Sequence, residues 1–415
     1  MTDHYDKLEI RDPAERERDL LAALPKQIAQ AQTAAPAFAK ILDGVKPGDI
    51  TTREALARLP VTRKTELLEL QKQRRGDDPF GGFSAIGRGS RMPRVFASPG
   101  TIYEPEGEAR DYWRTARALH AAGFRTGELI HNSFSYHMTP AGSIMESGAR
   151  AIGCTVFAGG TGQTEQQLEA MADLKPEGYA GTPSFLKILL EKAEEKGLKL
   201  PSLTKALVSG EAFPPSLHDW IAAHGVQGIQ CYATADLGLI AYETSARQGL
   251  VIDEGVLVEI VRPGTGDPVP DGEVGEIVVT TFNPDYPLVR FGTGDLSAVL
   301  PGISPCGRTN TRIKGWMGRA DQTTKVRGMF VHPSQVADVA RRHPEILRAR
   351  LVISGSTGSD RMVLKVESRV RGDDLSKRIA DSVRDVTKLR ADVEWVDADG
   401  LPNDGKVIDD VRTYE

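Results

Sequence analysis

The sequence predicts an α/β fold with a large N-terminal domain, residues 1–321, and a small α+β C-terminal domain, residues 322–415. Three observations predict it. Short apolar segments alternate with amphipathic ones between residues 127 and 232, a pattern typical of mostly parallel sheets covered by helices. After Gly249 the apolar period changes to two, which indicates a β subdomain. Of the 42 glycines, 26 lie between Gly142 and Gly328 and only 5 follow, so we expect a loop-rich middle and a more regular tail.

The N-terminal domain begins with helical segments. Leucines and isoleucines have roughly helical spacing within residues 12–43, and a second amphipathic region covers residues 51–70. Residues 91–107 indicate a strand that runs into a Pro/Gly-rich loop, followed by a helix over 109–122. Further elements are expected as strands at 127–132, 154–158, 178–180, 206–209 and 229–232, as helices at 163–173 and 184–196, and as β-subdomain strands at 255–261 and 276–281.

The C-terminal domain has a different pattern. Residues 348–354 and 362–367 favour paired strands, residues 373–389 a helix, and residues 391–396 another strand. The tail therefore predicts an α+β module of fewer than 100 residues.

Composition excludes several classes of protein. The chain has 52 Lys and Arg against 57 Asp and Glu, a net charge of −5, so there is no electrostatic case for nucleic acid. No apolar run is long enough to span a bilayer, and the start MTDHYDKLEIRDPAERERD is too charged for a signal peptide. The 3 cysteines are far apart and form no CxxC pair, which argues against a disulfide framework or a zinc ribbon. We expect a cytoplasmic protein.

Six segments could carry chemistry, and each has an ordinary alternative. In ASPGTIYEPEG, residues 97–107, the turn with Ser98, Gly100 and Thr101 offers hydroxyls and N–H groups to a phosphate, although it could be a plain surface turn. VSGEAFPPSL, residues 208–217, follows a predicted strand, where ligands of open α/β sheets gather, or it is a strand-to-helix turn.

The third and fourth segments also follow predicted strands. In QCYATADLG, residues 230–238, Tyr232 could stack on a base while Thr234 and Asp236 hold a phosphate and its Mg²⁺, or either of the latter two could cap a helix. In PLVRFGTGDLS, residues 287–297, Asp295 could accept both ribose hydroxyls, or it belongs to an ordinary turn.

The last two segments lie in the tail and at its boundary. Residues 306–333 cluster basic, acidic and glycine residues where the composition changes at the expected domain boundary, as either a candidate site or a linker with solvated charges. LPNDGKVIDD, residues 401–410, places Lys406 in a turn, where a lone lysine is usually just solvated.

The order of these segments is more specific than any one of them. The series ASPGT, SGEA, YATAD, TGD, GRAD with KVRG, and NDGK resembles the motif order of the adenylate-forming superfamily. Within it, the chain resembles the phenylacetate-CoA ligase family, most specifically in GGTGQTEQQLEAMADLKPEGYAGTPSF and in CGRTNTRI and GRADQTTKVRGMFVHPSQV. The resemblance runs from about Tyr5 to the C-terminus.

The resemblance implies an ATP-dependent, AMP-forming acyl-CoA ligase that activates an aryl or arylacetic acid as an acyl-adenylate and then transfers the acyl group to CoA. ATP, Mg²⁺ and coenzyme A are the implied cofactors. A small-molecule carboxylic acid is the implied partner, with no nucleic acid and no membrane, and a homodimer is one possible assembly. Two alternatives stay open: an adenylating ligase with an acceptor other than CoA, and a catalytically impaired relative that binds a nucleotide or acyl-CoA.

The resemblance also implies roles for individual residues. Catalytic roles fall to Lys406, which enters the site for adenylation, to Thr234 at the α-phosphate, and to the hinge residue Asp321. ATP and AMP contacts fall to Ser98, Gly100, Thr101, Gly210, Glu211, Ala212, Tyr232, Ala233, Thr234, Asp295, Arg319 and Lys406, and Mg²⁺ to Asp236. The acyl group is assigned to Tyr136, His137 and Ala233, and CoA to Lys325, Arg327 and Gly328.

Two positions depart from the family pattern. Its phosphate loop is rich in Ser, Thr and Gly and carries a lysine, whereas this loop has Pro99 and Glu104. Asp236 is one methylene shorter than the family's metal-binding glutamate.

Overall fold

Helices and strands alternate along most of the chain in a computed structural model, which describes residues 4–320, 322, 324–326, 329–355 and 361–412 and, of Lys325, Met329 and Phe330, the backbone only. The described helices are α1 Pro13–Ala34, α2 Pro36–Ile41, α3 Arg53–Ala57, α4 Lys64–Arg74, α5 Ala116–Ala121, α6 Ala141–Ala151, α7 Thr164–Leu174, α8 Pro183–Glu195, α9 Pro215–Ala223, α10 Pro333–Arg342 and α11 Asp373–Thr387.

The described strands form a separate series. They are β1 Thr62–Arg63, β2 Arg94–Ser98, β3 Ile102–Glu106, β4 Leu129–Asn132, β5 Thr155–Ala158, β6 Gly178–Gly181, β7 Lys205–Val208, β8 Gln227–Thr234, β9 Gly238–Tyr242, β10 Leu250–Ile252, β11 Val256–Val261, β12 Gly275–Thr281, β13 Phe291–Ser297, β14 Val299–Leu300, β15 Arg312–Ile313, β16 Thr324–Val326, β17 Met329–Val331, β18 Ile346–Ser354, β19 Arg361–Ser368, β20 Asp392–Val396 and β21 Ile408–Asp410.

The largest sheet confirms the predicted α/β class. Among the described strands it has nine members, in the order β14-β15-β10-β9-β8-β7-β6-β4-β5. Strands β4 to β8 run parallel to their neighbours in it, and β9 and β10 continue it antiparallel. The helices α6 to α9 connect its parallel strands, and α8 buries Leu186, Leu189 and Leu190 on the face that the apolar spacing predicts. Parallel strands place their carboxyl ends at one edge, which is where ligands bind in such sheets.

Two smaller sheets contain the strands predicted for the β subdomain and for the C-terminal domain. Strands β11 and β12 lie where the β subdomain is predicted, in a sheet ordered β1-β13-β12-β11. The C-terminal sheet has the order β20-β19-β18-β21, in which β18 and β19 pair antiparallel. Residues Val336 and Val339 of α10 and Leu375, Ile379 and Val383 of α11 join its apolar core.

Three expectations about the N-terminal segments are wrong in detail. The helix over 12–43 is two helices, because Pro36 begins α2 after Ala35 has left the helical conformation. The region 51–70 is interrupted by β1, since Thr62 donates its N–H to the carbonyl of Arg290 at 2.9 Å. The helix over 109–122 begins only at Ala116.

The late start of α5 has a tertiary cause. Arg114 has a left-handed backbone, with φ of 62°, which a helix interior does not allow. Its guanidinium donates to the carbonyl oxygens of Leu237 and Leu239 and lies 3.2 Å from the carboxylate of Asp253. These contacts override the helical propensity of the preceding residues.

Contacts divide the chain into two compact units. Unit 1 holds residues 1–258, 279–293 and 300–316, and unit 2 holds residues 259–278, 294–299 and 317–415. The divisions fall inside β11, β12 and β13, so this grouping differs from a single cut at residue 321. The mobile C-terminal domain of residues 322–415 stays a prediction. No helix in the described ranges is long and apolar enough to cross a membrane.

Candidate active site

The carboxyl edge of the parallel sheet brings three loops together in unit 1. Phe134 follows β4, Thr182 follows β6, and Gly210 follows β7. Gly210 has a φ of +82°, and a Cβ on it would lie 3.8 Å from both Phe134 Cε1 and Thr182 Cγ2. Gly210, Glu211 and Ala212 are exposed. The segment expected beside the adenine therefore lies at the edge where an open α/β sheet binds its ligand.

The end of β8 carries the next predicted residues. Tyr232, Ala233 and Thr234 are half-buried at the last positions of the strand. Thr234 Oγ1 accepts a hydrogen bond from the N–H of Leu237 at 3.1 Å, so it caps a turn rather than a helix. The proton of its hydroxyl is still able to donate, because a hydroxyl combines one donor with two acceptor positions.

The predicted phosphate loop is a β-hairpin, which corrects the expectation of an open loop over its second half. Strands β2 and β3 pair antiparallel up to Ser98 and Ile102. The tip, residues 99–101, is exposed, and Gly100 and Thr101 both have positive φ, 106° and 43°. Ser98 itself is 5% exposed. Gly100 and Thr101 are thus open to a ligand, while the Ser98 hydroxyl is turned into the protein.

The partner of that hydroxyl is Glu104, which is fully buried on β3. Ser98 donates to it from Oγ and from its backbone N–H, the latter at 3.2 Å. Burial, and after it the negative charge of Asp236, raise the pKa of Glu104 to about 8 against the opposing effect of Ser98 and Lys64. The carboxyl therefore keeps its proton at neutral pH, and the hairpin interior carries no negative charge there.

Glu106, two residues further on the same face of β3, is in a different environment. Its carboxylate accepts hydrogen bonds from Trp113 Nε1 at 2.8 Å and Ser143 Oγ at 2.5 Å, and it forms an ion pair with Arg94 at 3.0 Å. Three donors, one of them a cation, satisfy it. Glu106 is therefore a structural anchor of the hairpin and adds no unpaired charge to a bound phosphate.

Asp236 is the buried carboxylate of the turn after β8. Its side chain is 1% exposed, and Oδ2 accepts from Lys64 Nζ at 2.8 Å. In the described part of the chain, Asp236 Oδ1 and the nearby hydroxyl of Tyr286 have no hydrogen-bond partner. An unsatisfied buried carboxylate oxygen fits a hard cation such as Mg²⁺, which binds proteins through one or two carboxylates and otherwise keeps water or phosphate oxygens. Among the described residues, no group of three or more His, Cys, Asp or Glu forms a metal cluster.

Lys64 is the residue of this cluster that sequence reasoning missed. It lies 172 positions before Asp236, so no motif spacing connects the two. Its one sequence signal is that it is the first residue of a helix, where a lysine opposes the helix dipole.

The residues assigned to the acid lie in the loop after β4. Tyr136 is half-buried, its hydroxyl accepts from Asn132 Nδ2 at 2.8 Å, and burial raises its pKa above the ordinary range. A Cβ on Gly142 would come within 2.9 Å of the Tyr136 ring, so the ring packs against α6. His137 is exposed. The N–H of Ala97 on β2 donates to the carbonyl of Met138 at 2.7 Å, which ties this loop to the phosphate hairpin.

A buried glutamine closes the loop after β5. Gln167 Nε2 donates to the carbonyls of Gly160 and Gly162 at 2.8 and 2.6 Å, and its Oε1 accepts from Ser133 Oγ at 2.8 Å and lies 2.7 Å from His131 Nε2. One side chain thus holds two glycine carbonyls and two residues at the end of β4. The segment GGTGQTEQQ is therefore held in place by the side chain of its last residue, Gln167.

Unit 2 brings together the residues expected at the ribose and at the adenylated acid. Arg319 Nη1 lies 2.9 Å from Asp295 Oδ1, and the two residues also pair through a β-bridge. Lys406 is exposed, and its Nζ lies 2.8 Å from Asp409 Oδ1. Arg319 and Lys406 border the same cavity of about 330 Å³, which Gln322 also lines.

The turn that carries Lys406 is tightly held within unit 2. Gly405 has a φ of +71°, and a Cβ there would meet Val274 Cγ1 at 2.8 Å. Asp404 accepts the N–H of Lys406 at 3.0 Å and pairs with Arg350. This packing fixes the backbone of the turn, while the Lys406 side chain itself is exposed.

Part of the predicted CoA and hinge set lies outside the described residues. Asp321, Arg327 and Gly328 are outside them, and of Lys325 only the backbone is described, in β16. These assignments stay predictions.

Comparison with known proteins agrees with this arrangement. The model of the AMP-binding enzyme family matches residues 115–283. A phenylacetate-coenzyme A ligase of Thermus thermophilus is 33% identical over 362 residues, which cover 83% of this chain and 79% of that protein. The chain belongs to the phenylacetate-CoA ligase family. A second ligase of that name, from Aromatoleum evansii, is 30% identical over 84% of this chain and 80% of its own length.

Solved structures extend the comparison to the whole fold of this ligase. A 2-hydroxyisobutyryl-CoA ligase in complex with 2-HIB-AMP and CoA has a TM-score of 0.71 and 25% identity, and it covers 95% of this chain and 90% of its own. The protein is an AMP-forming acyl-CoA ligase, an acid–thiol ligase that uses ATP, Mg²⁺ and CoA. The predicted family, fold class, activity and cofactors are confirmed.

Proposed function

We propose that this ligase activates an aryl or arylacetic acid, and that the predicted site residues act in the roles that the family resemblance implies. The observation that carries the proposal is the convergence in unit 1 of the half-buried Tyr136 loop, the phosphate hairpin and the carboxyl edge of the sheet. The names of the most similar relatives, phenylacetate-CoA ligases, support an aromatic acid. Tyr136 gives such an acid an aromatic surface to pack on.

The first half-reaction joins two anions, so charge must be offset. A carboxylate oxygen of the acid attacks the α-phosphorus of ATP, the bond to the bridging oxygen breaks, and pyrophosphate leaves with that electron pair. We assign Thr234 to the α-phosphate as a hydroxyl donor, and Gly100 and Thr101 to the β- and γ-phosphates at the exposed hairpin tip. Asp236 would hold Mg²⁺, which neutralises phosphate charge when bound.

The adenosine moiety is assigned to the residues that the family resemblance implies. We assign Tyr232 and the segment of Gly210, Glu211 and Ala212 to the adenine, and Asp295 with Arg319 to the ribose. The ion pair between Asp295 and Arg319 supports this, because it holds the carboxylate in one orientation, as recognition of two adjacent hydroxyls requires.

Lys406 is assigned to the acid carboxylate and the α-phosphate during adenylation. Its exposure and its place beside Arg319 in one cavity of unit 2 support this. In the second half-reaction the CoA sulfur attacks the acyl carbon, the bond to AMP breaks and the thiol proton passes to solvent. Lys325, Arg327 and Gly328 are assigned to CoA, with Asp321 as the hinge between the two states.

One experiment tests the activity and the lysine together. Pyrophosphate release is measured over a panel containing phenylacetate, benzoate and 2-hydroxyisobutyrate, with and without CoA, for the wild type, Lys406→Ala and the exposed Lys377→Ala control on α11. We expect an arylacetic acid to give the highest kcat/KM. Loss of a group that stabilises the transition state typically costs about 10² to 10³ in rate, so Lys406→Ala should slow adenylation by that factor.

Thioester formation from pre-made acyl-adenylate separates the two half-reactions. Lys406→Ala should change that rate by less than about threefold, since the proposed role ends at adenylation. Full adenylation activity in Lys406→Ala contradicts the assignment, and preference for an aliphatic acid contradicts the proposed substrate class.

Two finer proposals accompany the function. A cytoplasmic location gives the enzyme access to ATP and CoA, and fractionation with an epitope tag tests it. A homodimer is tested by analytical ultracentrifugation at the protein concentrations used in the kinetic assays. A monomer under those conditions contradicts it.

A further inference from the structure

The tip of the phosphate hairpin has no cation among its own residues. Its residues 98–104, SPGTIYE, contain no Lys or Arg, and Glu104 is buried behind the tip. The β- and γ-phosphates of ATP carry the greatest negative charge of the substrate, and phosphate sites in proteins normally include a lysine or arginine. A cation from another element must therefore complete the hairpin if it receives these phosphates.

Helix α4 is the element that packs along the hairpin. The amide of Gln71 exchanges hydrogen bonds with the backbone of Tyr103, at 2.9 Å to the carbonyl and 2.8 Å from the N–H. Arg75, directly after α4, donates to the carbonyl of Thr101 at 2.9 Å. The later turns of α4 thus hold β3 and the tip from the side.

Lys64 lies on the same face of this helix. Lys64, Leu68, Gln71 and Arg75 are spaced by four, three and four residues, which places them in one row along a helix. Leu68 Cδ2 would lie 3.4 Å from a Cβ on Gly100, so the row reaches the hairpin tip itself. The first residue of the row is Lys64, whose ammonium lies 2.8 Å from Oδ2 of the buried Asp236.

The position of Lys64 is fixed by its neighbours and not by helix preference. It is the first residue of α4, where a positive charge opposes the helix dipole at a cost of about 0.3–1 kcal/mol. Its backbone follows β1, which pairs in parallel with Phe291 and Gly292. Its side chain is 36% exposed while that of Asp236 is 1% exposed, so the ammonium caps a buried carboxylate from the open side.

We infer that Lys64 is the phosphate-binding cation of the hairpin, and that its ion pair with Asp236 is exchanged when Mg·ATP binds. In the nucleotide-free protein, Lys64 neutralises Asp236. When Asp236 binds Mg²⁺, the ammonium is released toward the β- and γ-phosphates at the tip. One lysine thus protects the metal ligand in the free enzyme and offsets phosphate charge in the loaded one. The inference rests on the proposed assignment of the hairpin to ATP.

The test compares ATP with AMP, because only ATP carries the phosphates that Lys64 would bind. Binding of AMP and of a non-hydrolysable ATP analogue with Mg²⁺ is measured by calorimetry for the wild type, Lys64→Met, Lys64→Arg and the control Lys72→Met. Lys72 lies on the same helix in an exposed pair with Glu69. Losing a hydrogen bond to a charged group should weaken the ATP analogue by about 10- to 100-fold in Lys64→Met. AMP affinity should stay within about twofold, and Lys64→Arg and Lys72→Met should bind both nucleotides nearly as the wild type does.

A second measurement tests the exchange itself, and does not depend on Lys64→Met alone. In EDTA, Asp236→Asn should bind metal-free ATP more tightly than the wild type, because the lysine is released from its partner. In the double variant Lys64→Met with Asp236→Asn, most of that gain should disappear. A gain of equal size in both backgrounds shows that only the removed negative charge matters, and it overturns the exchange.

The outcomes separate this inference from the proposed function. If Lys64→Met binds the ATP analogue as well as Lys72→Met does, or loses AMP and ATP affinity equally, Lys64 is a structural partner of Asp236 and the inference is wrong. If the wild type adenylates no acid and binds neither nucleotide, the proposed function fails instead.

Discussion

Replacing Glu104 by glutamine should make the protein more stable at mildly alkaline pH. The fully buried carboxyl has a pKa raised from its ordinary 4.5 to about 8, first by burial and then by the charge of Asp236. Glutamine has nearly the same shape and still accepts from Ser98, so the substitution resembles the protonated state.

The direction of the pH effect follows from proton linkage. Below about pH 4.5 the carboxyl is protonated in both the folded and the unfolded chain, so its contribution to stability is fully present. As pH rises, the unfolded chain releases this proton while the folded chain keeps it until about pH 8, so the free energy of unfolding falls across that window. Integrated from about pH 5 to about pH 8, this single group lowers the stability of the wild type by about 3 kcal/mol relative to Glu104→Gln.

Urea denaturation at those two pH values, in EDTA and without nucleotide, measures the effect. The stability of Glu104→Gln minus that of the wild type should increase by about 3 kcal/mol from the lower pH to the higher one. Titrating groups that do not interact with Glu104 behave alike in both proteins and cancel in this difference. The exposed Glu69→Gln on α4 serves as the control and should show no such change. A difference between Glu104→Gln and the wild type that is constant with pH refutes the proton-bearing state of Glu104.

Two further substitutions test the packing around the site. In Gly148→Ala, the new Cβ would lie 2.3 Å from Thr115 Oγ1, and we expect this overpacking to lower the free energy of unfolding by about 1–3 kcal/mol, whereas Gly48→Ala, with no atom within 4 Å, should have little effect in the same urea titration. In Gln167→Leu, the carbonyls of Gly160 and Gly162 lose the hydrogen bonds that Gln167 Nε2 donates to them, so the unfolding free energy should fall by about 2–4 kcal/mol. A melting temperature within about 1 °C of the wild type would contradict the second expectation.

Helices and strands with a regular apolar spacing could be predicted from the sequence, because the residues at that spacing are the ones that become buried in the core. The α8 leucines recur at helical spacing and are all buried, and the predicted C-terminal helix and strands form within a few residues of their expected ends. The helix over 109–122 could not be predicted correctly, because Arg114 contacts β9 and Asp253, far away in the chain. Local propensity does not record such a partner.

The candidate site divides in a similar way. Asp295 and Arg319, 24 residues apart, are each recognisable by motif, and the structure places them in contact. The ion pair of Lys64 with Asp236 joins two segments that are far apart in the sequence, so no motif spacing predicts it. The sequence also does not show that Glu104 is buried and hydrogen-bonded to Ser98. Motif order could therefore name the reaction, but the distribution of charge required the packing of α4 against the hairpin.

The hydrogen bond from the N–H of Ala97 to the carbonyl of Met138 fixes the distance between the two segments that are proposed to bind the two substrates. It joins the strand that leads to the phosphate tip with the loop that carries Tyr136, both within unit 1. With the acid and the phosphates assigned to these two segments, their separation is set by one backbone contact rather than by either ligand. Rates of group transfer respond steeply to errors of about 1 Å in the approach of the reacting atoms. A substitution that lengthens this contact would thus slow the joining of acid to nucleotide while leaving the affinity for each almost unchanged.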